Sequence, residues 1–261
     1  MIYKFCAKTD TGRSRDNNED SVAVDEETRL AVLADGMGGY NAGEIASGMA
    51  TAFIKSEMSR WLTEVGGTAR AKEVRRAMEI CVDSANLSIF NAANSNSNYS
   101  GMGTTLVVGV FRDDVLVLGH IGDSRCYRWR AGKLEQISRD HSLLQEQIDA
   151  GLVTLEQAQH SNIKNLVTRA LGVEEIVLLE VNEYPVELGD FYLMCSDGLS
   201  DMVQDAAIAK ILGAEGGLEQ KVQLLVDAAN DNGGRDNISV LMVEVLEATE
   251  KRGLIARLLG K

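Results

Sequence analysis

In Leu30 to Gly39, LAVLADGMGG, an apolar run of strand type delivers one carboxylate, Asp35, into a turn made almost wholly of glycine. Glycine has no Cβ, so the backbone there can come close to a ligand. Taken alone, Asp-Gly after an apolar run reads as a hairpin turn. The chain repeats the device, however. Asp123 in LGHIGDSR, Asp197 in FYLMCSDG and Asp236 in GGRDN each stand at the edge of an apolar run, and Glu19 and Asp20 stand together in NNED. One such turn is punctuation; the set reads as oxygen ligands gathered at strand ends.

The periodicity around these turns predicts the fold class. Residues 2 to 8 alternate as a short strand does, and the spacing predicts helices over Glu44–Leu62 and Ala69–Ala93, whose apolar residues recur along one face. The polar NSNSNYS, residues 94–100, reads as a loop. Strand signals follow at Thr104–Phe111, Val115–Ile121, Arg125–Trp129 and Leu134–Ile137, with connections too short for parallel crossovers, so the pairing is antiparallel. Further strands are expected at Ile176–Val181, Phe191–Cys195 and Ile238–Val245, and helices near Asp205–Leu212 and Leu218–Asn230. Two antiparallel sheets packed face to face, with a helix pair outside each, use every apolar face. The expectation is an α+β fold, a four-layer αββα sandwich, as one domain over residues 1–246. Residues 139–172 carry no strong strand signal and read as a flap inserted between strands.

Composition narrows the function classes. The formal charge of −13 argues against a nucleic-acid partner, since phosphate backbones are bound through basic patches. The four cysteines, Cys6, Cys81, Cys126 and Cys195, lie far apart and show neither zinc spacing nor a disulfide framework, which suits a reducing cytoplasm. No apolar run approaches the roughly 18 residues of a membrane span, and the N-terminus lacks a signal-peptide pattern. The last stretch, 247–261, is a basic amphipathic tail that reads either as a docking helix or as a terminal segment packed on the body. In TDTGRSRDNNED, Arg13 and Arg15 can belong to a solvated, salt-bridged loop or can hold an anion beside a metal.

RSRDNNEDS, LADGMGG, GMGTT, HIGDSR, RDHS, TRALG, CSDGLSD and GGRDNIS occur in the order and approximate spacing of the metal-dependent serine/threonine protein phosphatases of type 2C, and the chain resembles their compact bacterial members from about Thr9 to Val245. The resemblance implies two Mg²⁺ or Mn²⁺ ions at one end of the sandwich. By that likeness Asp35 bridges them, the Gly36 carbonyl binds the second, and Asp197 and Asp236 complete the first. Glu19 and Asp20 match an acidic pair that acts largely through water, and Asp123 matches the ligand of a third, weaker ion. Arg15 matches the arginine that grips the substrate phosphate, and Asn237 supports its neighbours. The implied activity is hydrolysis of phosphoserine and phosphothreonine by a metal-bridging hydroxide, reversing a bacterial Ser/Thr kinase, in a monomer whose partners are phosphorylated proteins. The alternatives are a non-catalytic phosphoprotein-binding pseudophosphatase and a regulatory phosphatase of a phosphoserine switch protein.

The chemistry asks for such a site. Phosphate monoesters need a barrier lowered by more than about 20 kcal/mol. A single general base contributes only roughly 10²- to 10⁴-fold. Two hard cations can orient water and offset phosphoryl charge, and all-oxygen ligands select magnesium or manganese over zinc. Met37 stands where many relatives outside bacteria carry a histidine thought to act as general acid, and a thioether cannot donate a proton. His120 is three residues from Asp123 on a strand and so should face the other way. His141 and His160 fall in the flap, where a structural role is expected.

Overall fold

The computed structural model describes residues 1–38, 42–154, 157 and 166–248. Two antiparallel sheets lie against each other. The first runs in the order β1 (Ile2–Asp10), β11 (Ile238–Leu246), β10 (Phe191–Cys195), β7 (Arg125–Arg130), β8 (Lys133–Gln136). The second runs β2 (Asp20–Asp25), β3 (Leu30–Met37), β5 (Leu106–Arg112), β6 (Val115–Ile121), β9 (Glu180–Pro185), with β4 (Gly103–Thr104) paired to the end of β3. Helices α1 (Ala42–Val65) and α2 (Ala71–Ser95) flank the second sheet; α5 (Asp205–Gly213) and α6 (Leu218–Asp231) flank the first. The short helices α3 (Leu143–Asp149) and α4 (Asp197–Ser200) complete the set.

Three apolar clusters separate these layers. Val32, Val108 and Val117 meet Ile54, Met78 and Ile89 of α1 and α2. Leu33, Val107 and Phe111 face Tyr192, Met194 and Val243 between the sheets. Val240 and Met242 meet Leu212, Val222 and Leu225 under α5 and α6. Alternation along each central strand sends successive side chains into successive clusters, as the pleat requires. The four-layer sandwich expected from sequence is the architecture observed.

Local differences have physical reasons. Strand β2 carries a weak alternation behind a charged loop and was not expected; it forms because its register against β3 places Val22 against Leu33 and Val24 against Ala31. The strand expected at Ile176–Val181 starts later, at Glu180, and ends in Pro185. Ile176 and Leu178 are exposed, and β9 is an edge strand, where proline is tolerated. The single strand expected at Thr104–Phe111 divides at Thr105 into β4 and β5. Of the NSNSNYS loop, Ser97–Tyr99 form a 3₁₀ turn. Residues 249–261 of the expected basic tail, and His160 of the flap, lie outside the described residues.

Candidate metal centre

The ends of four strands converge on a cleft of about 330 Å³ lined by Arg15, Glu19, Asp35, Gly36, Met37, Gly38, Thr105, Asp123, Val167, Asp197, Asp236 and Asn237. Strand β3 brings in Asp35. Its backbone is held hard: Asp35 N–H donates to Thr105 Oγ1 at 3.0 Å, and the Asp35 carbonyl accepts from Thr105 N–H and Thr104 Oγ1, both at 2.9 Å. Thr105 Oγ1 is in turn 2.7 Å from Ser124 Oγ, which ties the Asp35 strand to the turn that carries Asp123.

Gly36 follows in a space that no side chain can share. A Cβ there would lie 2.1 Å from the Gly43 carbonyl oxygen and 2.6 Å from that of Glu19. The close approach lets Gly36 N–H donate to the Glu19 carbonyl at 3.1 Å, joining β3 to the loop 11–19.

Asp20 sits beneath Asp35 rather than in the lining. The two are register partners across β2 and β3, and Asp20 is buried. Its Oδ2 accepts from Ser196 Oγ at 2.8 Å, while its Oδ1 is buried with no hydrogen-bond partner among the described residues. Asp197 opens α4 one residue past the end of β10, with Ser196 between, and Asp236 is separated from the start of β11 by Asn237 alone.

Asn237 organises the rim. Its side-chain amide donates to the carbonyls of Thr11 (3.0 Å) and Asn17 (2.9 Å), and its Oδ1 accepts from Glu19 N–H at 2.8 Å. Arg15, about half exposed, reaches Asp236 Oδ2 at 2.7 Å. All nine residues singled out from sequence therefore meet at this end of the sandwich. Sequence reading passed over Thr105, Ser124 and Ser196, whose hydroxyls hold the acidic set; the GMGTT, HIGDSR and CSDGLSD motifs contained all three. No histidine lines the cleft among the described residues, and His120 faces Arg139 instead, its Nε2 2.5 Å from that carbonyl.

So many carboxylates in one place resist ionisation together. Burial, then the charges of Asp20, Asp197, Asp123 and Asp236, push the Asp35 carboxyl well above the usual carboxylate range. Burial, then Asp123, Asp236 and Asp201, do the same to Asp197. Burial raises Asp20 to about 6 against the lowering effect of the Ser239 and Ser196 hydroxyls, and raises Asp123 to about 6 with help from Asp140. An orphaned buried oxygen and five aspartates with one arginine make an arrangement that hard cations fit: all-oxygen donors, excess negative charge, and an unmet lone pair.

A family model described as protein phosphatase 2C matches residues 10–241. The chain belongs to the protein phosphatase 2C family. The serine/threonine phosphatase stp of Listeria innocua is 36% identical over 240 residues, 91% of this chain and 94% of that protein. The crystal structure of the Mycobacterium tuberculosis serine/threonine phosphatase PstP/Ppp superposes with a TM-score of 0.86 at 35% identity, over 95% of this chain and 100% of that one. A crystal structure of the PstP catalytic domain in complex with two manganese ions gives 0.82 at 34% identity, over 94% and 99%. The family's fold thus accounts for nearly every described element.

Proposed function

We propose that this protein is a metal-dependent phosphoprotein phosphatase acting on phosphoserine and phosphothreonine, with its reaction centred on Asp35. The observation that carries the reading is the convergence of Asp35, Asp123, Asp197 and Asp236 on one cleft with Arg15 at its rim. Asp35, the Gly36 carbonyl, Asp197 and Asp236 would hold two Mn²⁺ or Mg²⁺ ions. Asp123 would serve a third, weaker one, and Glu19 and Asp20 would act through water. Bound there, the ions supply an activated water and offset charge on the phosphoryl oxygens.

The protein's own residues do the rest. Arg15 presents a planar guanidinium, the geometry that grips phosphate through paired N–H groups. Its partner Asp236 orients it at the rim. Asn237 fixes the loop that carries Arg15 and Glu19, so the phosphate grip and the carboxylates keep one geometry. Met37 and Val167 supply apolar side chains to the wall of the cleft. Met37 can neither give nor take the leaving group's proton, and no histidine among the described residues lines the cleft, so this reading assigns the alcohol's proton to water.

Phosphorylated proteins are the substrates on this reading, and a Ser/Thr kinase is the activity it reverses. The flap base at Val167, on the cleft wall, is where discrimination among them would begin. The test is release of phosphate from p-nitrophenyl phosphate and from a phosphothreonine peptide with Mn²⁺, with Mg²⁺ and with EDTA. Metal-dependent turnover of both is expected. Tight phosphopeptide binding without turnover under any metal would replace this reading with that of a non-catalytic binder.

A further inference from the structure

Next to the cleft, outside its lining, lies a second cluster of titratable side chains: His120 and His141, both buried, and the half-buried Glu180. The imidazoles stack with centroids 4.4 Å apart, and Glu180 is the register partner of His120 across β6 and β9. The donor set resembles a metal site, but the hydrogen bonds fix its protons otherwise. Gly122 N–H points at His141 Nδ1 at 3.2 Å, and an amide can only donate, so Nδ1 is bare. The His141 proton is therefore on Nε2, directed at Glu180 Oε2 at 3.3 Å. Likewise His120 Nε2 faces a carbonyl and carries its proton. A cation on His141 Nε2 would drive that proton to Nδ1, into the Gly122 amide hydrogen.

What these bonds hold is the Asp123 turn. His141 grips the Gly122 peptide on both sides, with its N–H on the Gly122 carbonyl at 2.9 Å and its Nδ1 on the Gly122 N–H. Gly122 has φ +100°, a conformation that few residues other than glycine adopt, and Asp123 follows it. Two residues on, Arg125 forks onto Asp140, the neighbour of His141, with its closest contact at 2.7 Å. On its other side the His141 carbonyl accepts from Thr168 N–H at 2.8 Å, beside the bridge between Ser142 and Val167, and Val167 is in the cleft wall.

We propose that His141 is a positioning residue for the phosphatase reaction: its Nδ1 fixes the turn that aims Asp123 into the cleft, while its main chain fixes the flap base at Val167 against the same turn. The inference rests on the phosphatase reading above. It assigns to a buried histidine, remote from substrate, the task of matching the weaker cation position to the flap. Burial agrees with the assigned tautomer, because it holds His141 neutral, with its pKa down to about 4.

The experiment uses the full chain and three variants, reading the Mn²⁺ concentration for half-maximal hydrolysis of p-nitrophenyl phosphate, with kcat and KM separately, and the melting temperature. An asparagine amide oxygen reaches the place of Nδ1, whereas a glutamine amide reaches that of Nε2. His141→Gln is expected to raise the Mn²⁺ midpoint about tenfold or more, the usual cost of losing a group that orients a ligand, with KM changed less than about twofold. His141→Asn is expected to restore most of the loss, and Glu180→Gln to stay within about twofold of the wild type. Equal behaviour of the Asn and Gln variants, or a Glu180→Gln defect as large as that of His141→Gln, would overturn the proposal; Glu180→Gln decides even where His141→Gln melts early. A wild-type protein without Mn²⁺-dependent turnover would defeat the phosphatase reading instead, whereas active wild type with unchanged His141→Gln defeats this inference alone.

Discussion

Asp20 and Asp35 stand directly opposite each other across the β2–β3 pair. Like charges at such positions destabilise a sheet, and here neither is turned to open solvent: Asp20 is buried with one oxygen unpartnered, and Asp35 reaches water only through the cleft. The pair makes sense as half of a cation-binding arrangement. Asp35→Asn should remove charge from the metal-free cluster and raise its melting temperature, while abolishing stabilisation by Mn²⁺ and lowering turnover more than about 10²-fold. Thermal melts with and without Mn²⁺ decide it; a variant that melts lower in EDTA and still responds to Mn²⁺ would contradict the account.

The same cluster sets a pH dependence. Burial and mutual repulsion raise Asp35 and Asp197 well above the ordinary aspartate range, and burial raises Asp20 and Asp123 to about 6. For groups raised in the folded state, stability is full below the unfolded value and is lost as pH climbs through the folded one. His120 and His141, kept neutral by burial, pull the other way over part of this window. The histidine contribution is common to melts with and without Mn²⁺, so the Mn²⁺-induced gain in melting temperature at each pH is largely free of it. That gain should grow from pH 5 to pH 7.5, as cations find carboxylates rather than carboxylic acids. A gain independent of pH would mean that the ions bind elsewhere.

Arg15→Ala should act on substrate more than on the ions. A charge-assisted hydrogen bond contributes about 1.5–3 kcal/mol, so KM for a phosphothreonine peptide should rise roughly 10- to 100-fold, with the Mn²⁺ midpoint nearly unchanged. Arg15→Lys should recover little, since an ammonium cannot fork onto phosphate. Steady-state kinetics on the three proteins checks both statements.

Gly36→Ala tests the packing that holds the site. A methyl 2.1 Å from the Gly43 carbonyl must push β3 from α1 or from the Glu19 loop. A loss of about 1–3 kcal/mol or more in denaturant unfolding is expected, with weaker Mn²⁺ binding. Gly48→Ala, on the same helix with nothing near its side chain, should cost no stability.

The sandwich was legible because Val115–Ile121 and Phe191–Cys195 are predominantly apolar runs with turn residues on both sides, and their boundaries in the structure are those read from sequence. β2 was missed because its first residue is Asp20, a charge in a charged loop; what makes it a strand is pairing with β3, a non-local fact. At the site, Asp35, Asp123, Asp197 and Asp236 could be read because each stands at the edge of an apolar run. The difference between adjacent Glu19 and Asp20 could not, since one lines the cleft and the other is buried under Asp35 against Ser196. Nor could the supporting hydroxyls of Thr105 and Ser124, which meet only when β5 and the β6–β7 turn pack together.

The measurement that bears most directly on the central claim is phosphate release from a phosphothreonine peptide by the wild type and by Asp236→Ala, each with Mn²⁺ and with EDTA. The account predicts turnover by the wild type in Mn²⁺, none in EDTA, and a loss of more than about 10²-fold in the folded variant. Turnover that survives EDTA, or an Asp236→Ala protein as active as the wild type, would show that this cleft is not a metal-dependent phosphatase centre.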